Sequence, residues 1–292
     1  MKSRFKFTLL DFILLTAIVL SVIYVVIKMK TNLHYKWDWS SAASYIIRYD
    51  VIKDSYVPGL LVSGLIVTFK LSVWATILAS IIGLVMGLMR IYAGAALRLT
   101  SLVYVAIVRN IPSIVFIFIF YFFISGQIAD AFNFGSLSSA PSHEGIVTFL
   151  FSTQSMLPVF ISAILTLALY EGAYMTEIVR AGVESVERGQ SEAADALGLT
   201  WYQKMRHIIL PQALKRILSP MAGQIISVIK DSAIVSVISV QELTFRGTEL
   251  MASTYKTYEI WITITAMYFI LTYSCSVLVG SLEKRMQRKG YV

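Results

Sequence analysis

From Ile260 to Leu282 the chain runs 23 residues without a single Lys, Arg, Asp or Glu. A helix needs about 20 apolar residues to cross the hydrocarbon layer of a bilayer. Gly145 to Tyr170 is uncharged for 26 residues, and Gly59 to Met89 is broken only by Lys70. Lipid offers no hydrogen-bond partners to backbone N–H and C=O groups, so runs of this kind cross as helices. Hydrophobic residues make up 57% of the chain and charged residues 14%, well below the roughly one quarter of a soluble domain. These features predict an all-α membrane protein of about six transmembrane helices. A length of 292 residues then leaves little room for a soluble catalytic domain.

The runs fall in order. Phe12–Ile27 follows the basic start Lys2, Arg4 and Lys6, and Lys28-Met29-Lys30 stands where a signal peptide would carry small residues for cleavage, so this reads as a retained helix within residues 1–30. Residues 31–57 read as an external linker, with an interfacial helix around Ser41 to Tyr49. The main membrane domain spans residues 58–282, and residues 283–292 form a basic tail. Its spans are expected at Gly59–Met89, Leu99–Ser125 (interrupted by Arg109, Asn110 and Pro112), Leu157–Ile178, Ser219–Val240 and Ile260–Leu282. With the N-terminus inside, cytoplasmic segments hold 15 of the 25 basic residues, external segments 7 and spans 3. That bias predicts cytoplasmic N- and C-termini and accounts for much of the net charge of +8, with no basic stripe of the kind that binds nucleic acid.

One polar stretch interrupts this pattern. Ser191 to Pro211, inside the loop at residues 181–211, reads as two short helices joined by a turn. Ser191 can cap the first helix and Glu192 then sits in its first turn, where the helix dipole favours an acid. Ala193, Ala194 and Ala196 leave a face with little side-chain bulk, and Gly198 suits a left-handed terminator. Thr200 with Gln203 forms a capping box for the second helix, and Pro211 is expected to end it.

Glu192-Ala193-Ala194, three residues, Gly198, nine residues, Ile208, one residue and Leu210-Pro211 match the EAA loop of ABC importer permeases. The wider pattern is similar to the polar amino-acid branch: Gly172-Ala173-Tyr174, Glu177, Arg180, Gly182, Gly189-Gln190, Pro211-Gln212-Ala213 and Lys230-Asp231. It departs at Arg109-Asn110-Ile111-Pro112, where that branch usually reads Arg-Gly-Thr-Pro, and at Ser232-Ala233-Ile234. The resemblance implies a type I importer permease core with an extra N-terminal helix, in a bacterial cytoplasmic membrane. It also implies partners: nucleotide-binding subunits that dock on Glu192, Ala193, Ala194 and Gly198, a second permease subunit, and an external substrate-binding protein. ATP and Mg would belong to the ATPase, with no cofactor on this chain. The cargo would be a polar amino acid; another small solute is the alternative.

Charges at bilayer depth cost at least about 2.5–3.5 kcal/mol each, so they usually face the protein interior or a water-filled path. Glu171, flanked by Tyr170 and Tyr174, can act as a counter-charge to a cationic amino acid or as a buried helix-to-helix contact. Lys230 and Asp231 are adjacent, about 100° apart on a helix, and so need separate partners, either as packing contacts or as transport-path or gating residues facing a second subunit. Glu177 and Arg180 can pair at i,i+3 and fix the loop to its helix. Lys70 is expected to snorkel toward an interface. Gly83 and Gly87 form a small-xxx-small motif that permits close helix contact.

Catalytic signatures are scarce. His34, His143 and His207 are isolated, Cys275 is the only cysteine, and neither a metal-ligand spacing nor a phosphate-binding glycine loop is present. The polar residues do not gather into an acid, base or metal cluster at one expected depth, which disfavours a membrane-embedded enzyme. An ion channel would need no ATPase-docking loop.

Overall fold

The computed structural model describes residues 8–32, 35–52, 54–127 and 144–288. The basic start, His34, Lys53, His143, Lys289 and most of the expected loop at 126–145 lie outside the described residues. The chain divides into two compact units, Met1–Ser40 and Ser41–Val292. In the first, α1 (Leu9–Asn32) starts on a reciprocal cap: the Thr8 backbone N–H and hydroxyl donate to Asp11 Oδ2, both at 2.8 Å.

The second unit opens with α2 (Ala42–Ile46) and an antiparallel hairpin, β1 (Ile47–Asp50) and β2 (Ser55–Pro58). This corrects the expected helix through Tyr49. Ile47 and Tyr49 are strand formers, and Tyr49 packs edge-on against its cross-strand partner Tyr56 at 5.3 Å. Then come α3 (Leu60–Tyr92), α4 (Ala95–Asn110), and α5 (Ser113–Ile119), which continues as a π-helical turn over Phe120–Ser125. After α6 (Glu144–Leu150) the chain forms α7 (Leu157–Glu184), α8 (Arg188–Ala196) and α9 (Trp201–Lys204). A π segment, Met205–Ile209, joins α9 to α10 (Leu210–Asp231), which tightens into a 3-10 turn over Ser232–Ile238. Last are α11 (Leu243–Thr254) and α12 (Thr257–Arg288).

Four stretches among the described residues are long and apolar enough to cross a membrane: Leu60–Tyr92, Leu157–Glu184, Trp201–Ile238 and Thr257–Ser281. The third expected span is not straight. α4 and the Ser113–Ser125 arm meet at 115°, because Pro112 lacks an N–H and drives Ile111 into the extended region (φ −97°, ψ 135°). Leu9–Val25 of α1 is a shorter apolar helix.

α7 is the hub, the most buried of the four long apolar stretches, whereas α12 is the least. It packs most extensively on α3. Gly83 and Gly87 make that approach possible. A Cβ at Gly83 would lie 2.5 Å from Met175 Cβ, and one at Gly87 would lie 2.7 Å from Val179 Cγ1. Leu71, Ala75, Ala79, Phe160, Leu167 and Met175 fill the core between the two helices.

Candidate functional site

The loop between α7 and α10 forms a two-helix cap. α8 begins at Arg188, with Glu187 at its N-cap position, so Ser191 lies inside the helix rather than capping it, and Glu192 falls beyond the first turn. Val186, buried with Met205 and Ile209, fixes the chain early and lets the first turn close four residues sooner. At the other end, Gly198 is left-handed with φ 71°, and the Leu199 N–H reaches back to the Ala194 carbonyl at 3.1 Å. The Thr200–Gln203 capping box is formed in both directions. Lys204 then bridges to both Asp195 oxygens, at 2.8 and 2.9 Å, and ties α9 to α8.

Pro211 does not end the second helix. It occupies the first turn of α10, and the helical path runs from Trp201 to Ile238. A proline ring in a regular helix clashes with the carbonyl four residues back and leaves it without a donor. The π segment just before Pro211 widens the backbone there: the Leu210 N–H donates to Met205, five residues back.

Ala194 is fully buried and faces this chain, because a nine-residue helix is held only by packing one face on its own protein. It cannot be part of an outer docking surface. The exposed face carries Glu192, Ala193 and Gly198. Sequence reasoning missed Leu197, Trp201 and Tyr202, which are 77%, 56% and 60% exposed. Large apolar residues beside a capping box in a polar loop were the available signal.

The cap is rooted in an ion-pair cluster. Glu177 accepts from Arg180 Nε and Nη2, both at 2.9 Å, and from Arg90 of α3; Arg180 also pairs with Glu184. Arg216 of α10 donates to the Ser185 carbonyl, and Tyr92 packs edge-on against Trp201 at 5.4 Å. The ends of α3, α7 and α10 are thus joined to the loop. Arg90, which lies 87 residues before Glu177, had no local signal.

Deeper along α7, Glu171 is fully buried and accepts from Gln224 of α10, while the Asp231 carboxyl lies against it. Glu171 Oε1 has no donor among the described residues. Lys230 points elsewhere: it is exposed and makes no ion pair among the described residues. The structure therefore brings Glu171, Gln224 and Asp231 together and leaves Lys230 out. Gln224 also lines a cleft of about 550 Å³ with Arg109, Tyr174, Glu177, Arg180 and Arg216. Arg109, at the α4 elbow, sits 5.3 Å from the Tyr174 ring centroid, and Tyr174 shares a 3.1 Å hydrogen bond with Tyr170. Gln224 thus stands between the buried Glu171 and a cleft whose lining carries three arginines, Arg109, Arg180 and Arg216. No group of three or more potential metal ligands occurs among the described residues.

The family described as "Binding-protein-dependent transport system inner membrane component" matches residues 79–288. The glutamine transport system permease protein GlnP of Escherichia coli K12 is 33% identical over 228 residues, covering 78% of this chain and 93% of its own. The glutamate/aspartate import permease protein GltK of Escherichia coli O157:H7 is 29% identical over 253 residues, covering 86% of this chain and 99% of its own. Among solved structures, a chain of an amino acid ABC transporter with histidines superposes with a TM-score of 0.66 at 31% identity, covering 86% of this chain and all of that one. The MetNI methionine ABC transporter shares the fold, with a TM-score of 0.59 at 22% identity, covering 77% of this chain and 95% of its own. With its apolar helices and its α7–α10 core, the chain is a multi-pass membrane protein that belongs to the family of binding-protein-dependent transport system inner membrane components.

Proposed function

We propose that this chain forms half of the transmembrane path of an ATP-driven importer for a polar amino acid. The observation that carries this reading is the continuous helix from Trp201 to Ile238. It begins in the exposed two-helix cap and reaches Asp231, about 45 Å away at 1.5 Å per residue, beside the buried Glu171. In this reading a push on the cap is carried along the helix to the buried Glu171, with Pro220 as a joint on the way. Kinship with glutamine and glutamate/aspartate permeases supports the cargo class.

In this reading a separate cytoplasmic ATPase, holding ATP and Mg, docks on Glu192, Ala193 and Gly198 together with Leu197, Trp201 and Tyr202. A second permease subunit completes the path, and an external binding protein delivers the substrate. N- and C-termini are cytoplasmic. Glu171, Gln224, Asp231 and Arg109 offer opposite charges to the amino and carboxyl groups of a zwitterion. The two access states stay close in energy so that each partner can bias one of them.

The test is uptake of labelled amino acids by the chain reconstituted with its ATPase and binding protein. ATP-dependent uptake of one polar amino acid, competed by its analogues, is expected. An assembled complex that hydrolyses ATP and moves none of them would overturn the cargo class.

A further inference from the structure

A second polar cavity lies at the other end of the bundle. It encloses about 170 Å³ between the first turns of α3, the segment leading into α7, and the stretch from Val240 to Arg246. That volume is below the roughly 300–1,000 Å³ of pockets for drug-sized ligands. It suits a small polar group instead. Lys70 lies 22 residues from Tyr92 on α3, about 33 Å along the helix, so the cavity is remote from the cap.

The chemistry of its lining is one-sided. Lys70, expected only to snorkel, donates to the Thr148 carbonyl at 2.7 Å, which uses one of its three N–H bonds. Arg246 gives Nη1 to Glu249 at 2.8 Å and Nη2 to the Gln241 side-chain oxygen at 2.7 Å. Its Nε–H is buried and has no acceptor among the described residues. Binding through its oxygen leaves Gln241 its amide N–H bonds. Ser63 and Thr153 add hydroxyls, and none of the described lining residues is acidic. Glu242, next in sequence, is spent elsewhere: it accepts from the N–H groups of Thr244 and Phe245 and from Tyr268. A buried guanidinium N–H without an acceptor costs free energy that an arriving oxyanion recovers.

We propose that this cavity is a carboxylate-binding site, held by Lys70, Arg246 and Gln241, which receives the α-carboxylate of an amino acid before it reaches Glu171 and Asp231. The assignment of that carboxylate to cargo rests on the importer reading above; the carboxylate chemistry does not.

Acylation of Lys70 by an amine-reactive ester, read by peptide mass spectrometry on the reconstituted complex as a ratio to acylation of the exposed Lys36 so that consumption of the ester by added amines cancels, tests it. L-Glutamine is expected to protect Lys70, whereas its decarboxylated counterpart 4-aminobutanamide is not. Lys70→Met should raise the KM for uptake about tenfold or more, the loss of one charge-assisted hydrogen bond, with Lys70→Arg restoring most of it. Equal protection by both compounds, or protection by neither L-glutamine nor acetate, overturns the proposal. So does protection that follows the anionic lipid content of the vesicles, which would assign the cavity to a headgroup. Acetate serves as a probe that needs no transport. If the complex imports no amino acid while acetate still protects Lys70, the cargo reading falls and the carboxylate site stands.

Discussion

Gly198 isolates the contribution of the loop backbone from that of side-chain packing. Its φ of 71° lies in the left-handed region, and a Cβ built there meets no atom within 4 Å. Gly198→Ala therefore introduces no clash, and its whole effect is the conformational penalty of an L-residue, about 1–2 kcal/mol. That energy corresponds to a factor of about 5–30 in the population of the tight turn. Asparagine tolerates the same region because its side chain can bond locally, so Gly198→Asn should recover most of the loss. Both variants leave the α3–α7 contact untouched and should insert and assemble normally. The assay is ATP-driven uptake per ATP hydrolysed in proteoliposomes, with co-purification of the ATPase as the control for assembly. A several-fold fall for alanine and a small one for asparagine is expected. Wild-type coupling in the alanine variant, or equal losses in both, would refute a role for the left-handed turn.

Gly83→Ala should destabilise the bundle by about 1–3 kcal/mol, because the new methyl must be accommodated 2.5 Å from Met175 Cβ; Gly94→Ala, with open space around it, should leave the melting temperature in detergent unchanged. Glu177→Gln leaves Arg90 and Arg180 facing each other without their shared carboxylate. A double-mutant cycle with Arg90→Met should then give a coupling energy above about 0.5 kcal/mol, and additivity would reduce the pair to a passive surface contact. Glu192→Lys reverses an exposed charge on the cap. It should lower uptake without shifting the melting temperature, and unimpaired uptake by the assembled variant would remove Glu192 from the docking surface.

What could be read from the sequence was local. The Thr200–Gln203 box, the left-handed Gly198 and the close approach at Gly83 and Gly87 each depend on a few neighbouring residues or on the absence of a side chain. What could not be read was set by partners distant in sequence. Ser191 loses its cap position because Val186 is pinned against Met205 and Ile209. Ala194 turns inward because α8 must rest on its own chain. Pro211 stays helical because the backbone before it widens, a choice no propensity scale encodes. The meeting of Glu171, Gln224 and Asp231 follows from the α7–α10 crossing, although the divergence of Lys230 from Asp231 was already implied by helix geometry.

Whether a separate ATPase grips the exposed face of α8 is decided by photocrosslinking from single cysteines at Ala193 and Ala194 in a Cys275→Ser background, each carrying a benzophenone maleimide, in the assembled complex. A cross-link to the ATPase subunit is expected from position 193. At 194 the residue is buried, so labelling should be poor and the ATPase should not be captured. Absence of any ATPase adduct from position 193 would remove the ATPase from that face of α8.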